Sequence, residues 1–393
     1  MSVNLESKET VPCFESVPAL RDGLASKRAF EAVDLYPRDG SVKLCELEER
    51  VGRLAGVHGS ETVLFASGMT AVTNTIEVGL SQKTEAQKQP TIAFGAQVYS
   101  QTRSYQDYLR ERGVKIREFD SGSRSSVAKM LENHQPDVVF SETVANGPDM
   151  PVLDIDHLKE QLKYQENPPL LILDNTLPLS TGLPLSEELE KEDDVVVVES
   201  GTKSYTFNNE LLGIAYSKNQ ELVDALRKYR RTVGTMPGKG NMEAIGGLLP
   251  ESKDAFDDRN LRLLKNAGAL AVRLHNETNG QADFIVTHPA IDWHDNHELA
   301  LHQHPKGSAP LLFLQCTGEA DQFDLANRIW SNDDVRKCAN LGQSFGFDEA
   351  RILPDEIGRT VRISSGAYTD VERLGDALVE AVQINDQHMA DRR

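Results

Sequence analysis

Five short apolar runs set the terms on which this chain can fold: TVLFAS at 62–67, TIAFG at 91–95, DVVFSE at 137–142, PLLILDN at 169–175 and DVVVVES at 194–200. None alternates apolar with polar residues, as a strand with one wet face would. Each therefore reads as a strand buried on both faces. Charged stretches with helical character separate them, TRSYQDYLRERG and LDIDHLKEQLKYQ among them. Strands alternating with helices imply an α/β fold with a mostly parallel central sheet covered on both sides. In such sheets ligands bind beyond the carboxyl ends of the strands. Ser67, Glu142, Asp174 and Ser200 stand at four of those ends, so four strands point at one crevice.

A chain of 393 residues exceeds one compact core and suits two domains with extensions. Residues 1–43 lack a sustained period and read as an N-terminal arm. Leu44, Leu47, Val51 and Leu54 then open a helix, and 44–245 reads as the large domain. From about 219 long helical patterns take over. FIVTHP, PLLFLQC and TVRISSG are candidate strands of a smaller C-terminal α+β domain over 246–393. A formal charge of −19 argues against a nucleic-acid partner, whose phosphates need basic patches. Cys13, Cys45, Cys316 and Cys338 show no paired spacing and read as reduced thiols. The polar, acid-containing start shows no secretory signal, and no apolar run approaches the ~20 residues a membrane span needs, so a cytoplasmic location is expected.

The most telling side chain at the crevice is Lys203, directly after the valines of the fifth run and flanked by Ser200, Gly201 and Thr202. Small hydroxyl residues beside one lysine suit an amine that holds a carbonyl cofactor while its neighbours bind that cofactor's phosphate. Asp174 ends another run and would face a pyridine nitrogen. Together they point to pyridoxal 5'-phosphate (PLP). FASGMTAV at 65–72 reads as a strand, a turn and a helix start, with the N–H groups of Gly68 and Met69 turned to a phosphate. Taken singly, each has a plainer reading: Asp174 as a cap, Lys203 as a solvated strand-end lysine, the 65–72 turn as an ordinary helix start.

The order of these signals closely resembles the Cys/Met metabolism PLP-dependent enzymes, the cystathionine γ-synthase, cystathionine γ-lyase and methionine γ-lyase group, over about 36–380. The family's Tyr-x-Arg appears as Tyr36-Pro37-Arg38 and its SGM turn as Ser67-Gly68-Met69. Tyr99 occupies the place of its ring-stacking tyrosine, and its Glu-x-x-x-Asn runs from Glu142 to Asn146. Its Asp-Asn-Thr is Asp174-Asn175-Thr176, and its Ser-x-Thr-Lys is Ser200-Gly201-Thr202-Lys203. SFGFDEA from Ser344 and VRISSG around Arg362 match its two late motifs.

The resemblance implies a fold type I PLP-dependent transferase architecture, similar to aspartate aminotransferase, in a homotetramer whose active sites are shared between two subunits. Lys203 would be the Schiff-base lysine and proton shuttle, with Tyr99 stacked on the ring and acting with it in catalysis. Gly68, Met69, Ser200 and Thr202 would cradle the phosphate, helped by Tyr36 and Arg38 of a neighbouring subunit. Arg362 would hold the substrate carboxylate, assisted by Ser344 and Asn146. The implied substrate is a γ-substituted L-amino acid whose leaving group is a thiol, an acyl-oxy group or a halide.

The chain departs from the pattern at several places. SYTFNNELLG replaces the family's Gly-His segment after the lysine, and Ser100-Gln101 replace a glycine pair after the tyrosine. Ser41 stands where Asn-Pro is usual, and Glu349-Ala350 replace Glu-Ser. These crowd the substrate side, so γ-elimination is expected. γ-Replacement by a thiol, as a cystathionine γ-synthase would perform, is the alternative, and a non-catalytic PLP-fold binding protein is a third reading. His288, His294, His297, His302 and His304 offer metal-like spacings, but without a helical HExxH or paired cysteines they read as a loop between strands, with no metal expected.

Overall fold

The computed structural model describes residues 41–84, 88–185, 194–278, 283–355 and 358–383. Tyr36, Arg38, Cys13 and the arm before Ser41 lie outside the described residues. All five apolar runs are strands. With two more they form one sheet of β1 (Thr62–Phe65), β2 (Thr91–Gly95), β3 (Lys115–Phe119), β4 (Val138–Glu142), β5 (Leu170–Asp174), β6 (Val195–Ser200) and β7 (Gly213–Tyr216). The order is β1-β7-β6-β5-β4-β2-β3. Neighbours from β6 to β3 are parallel, and β7 runs antiparallel to both β6 and β1.

Alternate residues of each strand enter two different cores, which is why the runs are unbroken. Val139, Leu171, Val195 and Val197 pack under the helices Val42–Ala55, Arg124–His134 and Ile155–Leu162. Val138, Phe140, Ile172 and Val198 pack beneath Gly68–Lys83 and Gln220–Val233. β3 lacked the signature for a physical reason. It is an edge strand whose Lys115 and Glu118 are exposed, and a charged edge discourages pairing with other chains. β7, GIAY, is as short as β1 and likewise buried at every residue.

The chain turns outward from β2 to β3, then returns past β2 to β4 and proceeds through β5 to β6. The order therefore reverses between β2 and β4, the kind of switch point beside which α/β sheets bind ligands. A second, five-stranded sheet holds β8 (Phe284–Thr287), β9 (Leu311–Cys316), β10 (Ala339–Leu341), β11 (Ala350–Asp355) and β12 (Thr360–Ser364), in the order β10-β11-β12-β9-β8. The helices Lys253–Thr278, Gln322–Ser331 and Val371–Gln383 cover it. The expected boundary at 245/246 falls within the helix Lys239–Leu248. A separate apolar cluster joins the two sheets, Val144, Met150 and Leu177 meeting Leu263, Phe313 and Phe345.

Candidate active site

The carboxyl ends of β4, β5 and β6 open into a cavity of about 670 Å³, closed on its far wall by β11 and β12 of the second sheet. Each end delivers one polar side chain, and short-range bonds fix its direction. Asp174 is the last residue of β5. Its Oδ1 accepts from the backbone N–H of Thr176 at 3.0 Å and from Thr176 Oγ1 at 2.5 Å. Thr176 Oγ1 in turn accepts from the Ser200 N–H at 2.9 Å, tying the ends of β5 and β6 together. Burial pushes the Asp174 carboxyl above its ordinary range, and the Thr176 bonds hold it back.

Glu142, the register partner of Asp174 on β4, is buried and accepts from the Tyr99 N–H at 2.6 Å and the Asn146 N–H at 2.7 Å. Its carboxyl is raised, first by burial and then by the charge of Asp174. The two carboxyls are buried side by side, so each disfavours the other's charge, and Arg103 offsets part of this at Glu142. The Asn146 Oδ1 is buried and has no partner among the described residues.

Lys203 lies in the one-turn helix Gly201–Ser204 that follows β6. Its amine bonds to Ser344 Oγ and lies 3.4 Å from Asn208 Oδ1. Burial lowers its pKa to about 8, with the positive charge of Arg362 adding to the effect. Arg362 sits mid-strand in β12, opposite Leu353 and Phe313, and forms no ion pair within the described residues. Its guanidinium pKa is lowered by burial and supported by Asp355 and Tyr99. Tyr99 caps the helix Ser100–Glu111 and is 40% exposed, so its ring borders open space.

The anion-attracting wall is the start of the helix Gly68–Lys83. Ser67 caps it, its Oγ accepting from the Thr70 N–H at 3.2 Å. Gly68 is required here, because a Cβ would stand 2.8 Å from the Ser200 Cβ. Gly68, Met69, Ser200 and Thr202 all border the cavity. The Thr202 hydroxyl is engaged with Leu212, accepting from its N–H at 2.9 Å.

The model of the Cys/Met metabolism PLP-dependent enzyme family matches residues 25–347. The chain belongs to that family. Among its relatives is a Streptomyces coelicolor protein named "Putative cystathionine gamma-lyase", 27% identical over 351 residues, covering 87% of this chain and 82% of the relative. A cystathionine gamma synthase from Xanthomonas oryzae pv. oryzae, solved with cystathionine, superposes with a TM-score of 0.73 at 20% identity, covering 90% of this chain and 89% of that one. A methionine gamma lyase from Micromonospora echinospora superposes at 0.70 and 21% identity, covering 88% of each chain. The fold is that of the fold type I PLP enzymes.

The cavity fits the family's cofactor on its own chemistry. It offers an uncharged-capable amine, a buried carboxyl beside a second one, a helix start with hydroxyls and an aromatic ring, in a volume suited to a small ligand. All the expected cavity residues from Gly68 to Arg362 border it, Asn146 and Ser344 included. Sequence reasoning placed Glu142 at a strand end of the crevice without a role and assigned none to Thr176 or Asn208.

Several of the five histidines bond to backbone carbonyls. His288 Nε2 pairs with the Ala309 carbonyl at 3.2 Å, and His294 Nε2 pairs with the Asp149 carbonyl at 2.9 Å. Among the described residues, no helix is long and apolar enough to cross a membrane.

Proposed function

We propose that the chain is a PLP-dependent lyase that removes a γ-substituent from an L-amino acid. The observation that carries this reading is Lys203, a half-buried amine of lowered pKa in one cavity with an arginine that lacks an ion-pair partner within the described residues. Arg362 holds the substrate's α-carboxylate as a fork, and the Asn146 amide lies ready to assist. Asp174 would hold a proton on the cofactor's ring nitrogen, and Tyr99 would support the ring. Ser67, Ser200 and the N–H groups of Gly68 and Met69 would hold the phosphate.

When bound, PLP supplies an electron sink conjugated with the substrate's α-carbon. The free Lys203 Nζ would take the proton from Cα, give it back to the conjugated system and so regain its lone pair, then take one from Cβ, after which the heteroatom at Cγ departs with its bonding electrons. Elimination is supported by the substrate side of the cavity. There Ser100 and Gln101, which stand in place of the family's glycine pair, line the wall, and Ser344 bonds to the lysine amine.

A panel of γ-substituted amino acids, with and without an added thiol, tests this directly. Keto acid and ammonia formed without thiol are the expected products. Thioether formed only when thiol is present would establish replacement instead. A colourless protein that takes up no PLP would remove both readings.

A further inference from the structure

The loop after Lys203, where the sequence leaves its family's pattern, carries an unusual backbone. Phe207 and Asn208 have φ of +54° and +62°, and Ser344 has φ of +79°. Residues other than glycine seldom enter this left-handed region, with asparagine the commonest exception. Where several do, the surrounding structure holds them there, and such places cluster at functional sites. Here two of the three meet at one atom. The Lys203 amine bonds to Ser344 Oγ and to Asn208 Oδ1 at 3.4 Å, and Ser344 Oγ donates to the same Oδ1 at 2.9 Å. Asn208 Nδ2 donates to the Phe345 carbonyl at 2.7 Å, which fixes the amide's orientation. Turned over, it would set a donor against the amine and lose the Phe345 bond.

Neighbouring groups hold the strain in place. The Arg259 guanidinium lies over the Phe207 ring at 4.1 Å and donates to the Gly346 carbonyl at 3.0 Å. Gly346, at φ +88°, packs so closely that a Cβ there would stand 2.3 Å from the Lys203 carbonyl. The lysine is thus gripped at its backbone by 346 and at its amine by 208 and 344.

We propose that Asn208 is a positioning residue for Lys203, its amide oxygen and Ser344 Oγ together holding the free amine wherever it is not joined to the cofactor, so that it returns to one place in each turnover. This rests on the reading of Lys203 given above. An amide suits the task because it accepts without adding charge. The charged or titratable groups on the cavity wall are Arg362 and Asp355 from the second sheet and Asp174, Glu142 and Tyr99 from the first. None of the acids is bonded to the amine, whose pKa stays near that set by burial and Arg362, about 8. A carboxylate at 208 would pair with the ammonium and undo this.

Two variants test it. Asn208→Asp keeps the shape and the acceptor, while Asn208→Gly suits the left-handed backbone and removes the side chain. In the cofactor-free protein, the pH dependence of Lys203 reductive methylation, read by peptide mass spectrometry, reports the amine's titration without any turnover. Asn208→Asp is expected to raise that midpoint by about 1–3 pH units and to slow PLP capture at neutral pH by about tenfold or more. Asn208→Gly is expected to leave the midpoint at or below that of wild type and to lower kcat about 10- to 100-fold, with KM little changed.

A titration of Asn208→Asp that overlays wild type, or a wild-type kcat in Asn208→Gly, overturns the proposal. Should Asn208→Asp fail to fold, as judged by circular dichroism, the glycine variant decides alone. If borohydride fails to fix PLP to Lys203 in wild type, the functional reading fails instead, and the titrations of the cofactor-free chain still answer the question about Asn208.

Discussion

At the scale of single residues, the cavity's logic is a contest between burial and charge. Lys203 is worth reading first because its amine is deprotonated far more readily than that of an exposed lysine. Its pKa moves from 10.5 down to about 8 through burial and then Arg362. PLP capture by the cofactor-free protein, followed by absorbance, is therefore expected to accelerate as pH rises through about 8, and not near 10.5. Removing the second cause should move that midpoint upward. Arg362→Leu is expected to do so, and to raise KM for the amino acid by about 10²- to 10³-fold through the lost carboxylate contact. An unmoved midpoint would mean Arg362 does not act on the amine. Lys203→Ala is expected to lower kcat by at least about 10³-fold and to abolish borohydride fixation of PLP. Turnover near the wild-type rate would strip Lys203 of its role.

At the scale of elements, the site depends on close approach of three strand ends. Gly213 opens β7 against the start of the helix Gly68–Lys83, and a Cβ there would lie 1.9 Å from the Ser67 carbonyl. Gly213→Ala must push β7 or the helix aside, so we expect a loss of about 2–4 kcal/mol in chemical denaturation and weaker PLP retention from the displaced helix start. Within β6, Glu199 is a buried strut. It accepts from Asn175 Nδ2 at 3.3 Å and Tyr216 OH at 3.3 Å through one oxygen, and from Ser180 Oγ at 3.4 Å through the other. Burial raises its pKa from 4.5 to about 7. An acid with a raised folded pKa binds its proton more tightly folded than unfolded, so stability falls as pH rises from about 4.5 to about 7 and then levels. Glu199→Gln should remove that fall, and its melting temperature should gain on wild type between pH 5 and pH 8. Parallel curves would reject the assignment. The strands that carry these ends were legible because both their faces are apolar. Asp174, Ser200 and Lys203 were legible because a strand end is a fixed address. Asn208 was not, and neither was what Glu142 does at its strand end. Their work depends on a left-handed turn and on backbone N–H groups contributed by residues 43 and 4 positions away, which no local pattern reveals.

At the scale of the whole molecule, the site draws on both sheets, since Arg362 and Ser344 come from the second unit and Asp174 and Lys203 from the first. We propose that the division falls in the turn at 249–252, between the helices Lys239–Leu248 and Lys253–Thr278. We also propose that the molecule is a homotetramer in which Tyr36 and Arg38 complete the phosphate site of a neighbouring subunit. Sharing of this kind has an arithmetic consequence. Lys203→Ala and Arg38→Ala should each be nearly inactive alone. In a mixed dimer, one site then carries both substitutions and the other carries neither. Equal amounts unfolded and refolded together form mixed dimers half of the time, each with one intact site, so about a quarter of wild-type activity should return. If Arg38 serves its own subunit, every site in the mixture keeps one lesion and nothing is recovered. Size-exclusion chromatography with light scattering gives the subunit count on the same samples, and a monomer of full activity would exclude the shared site.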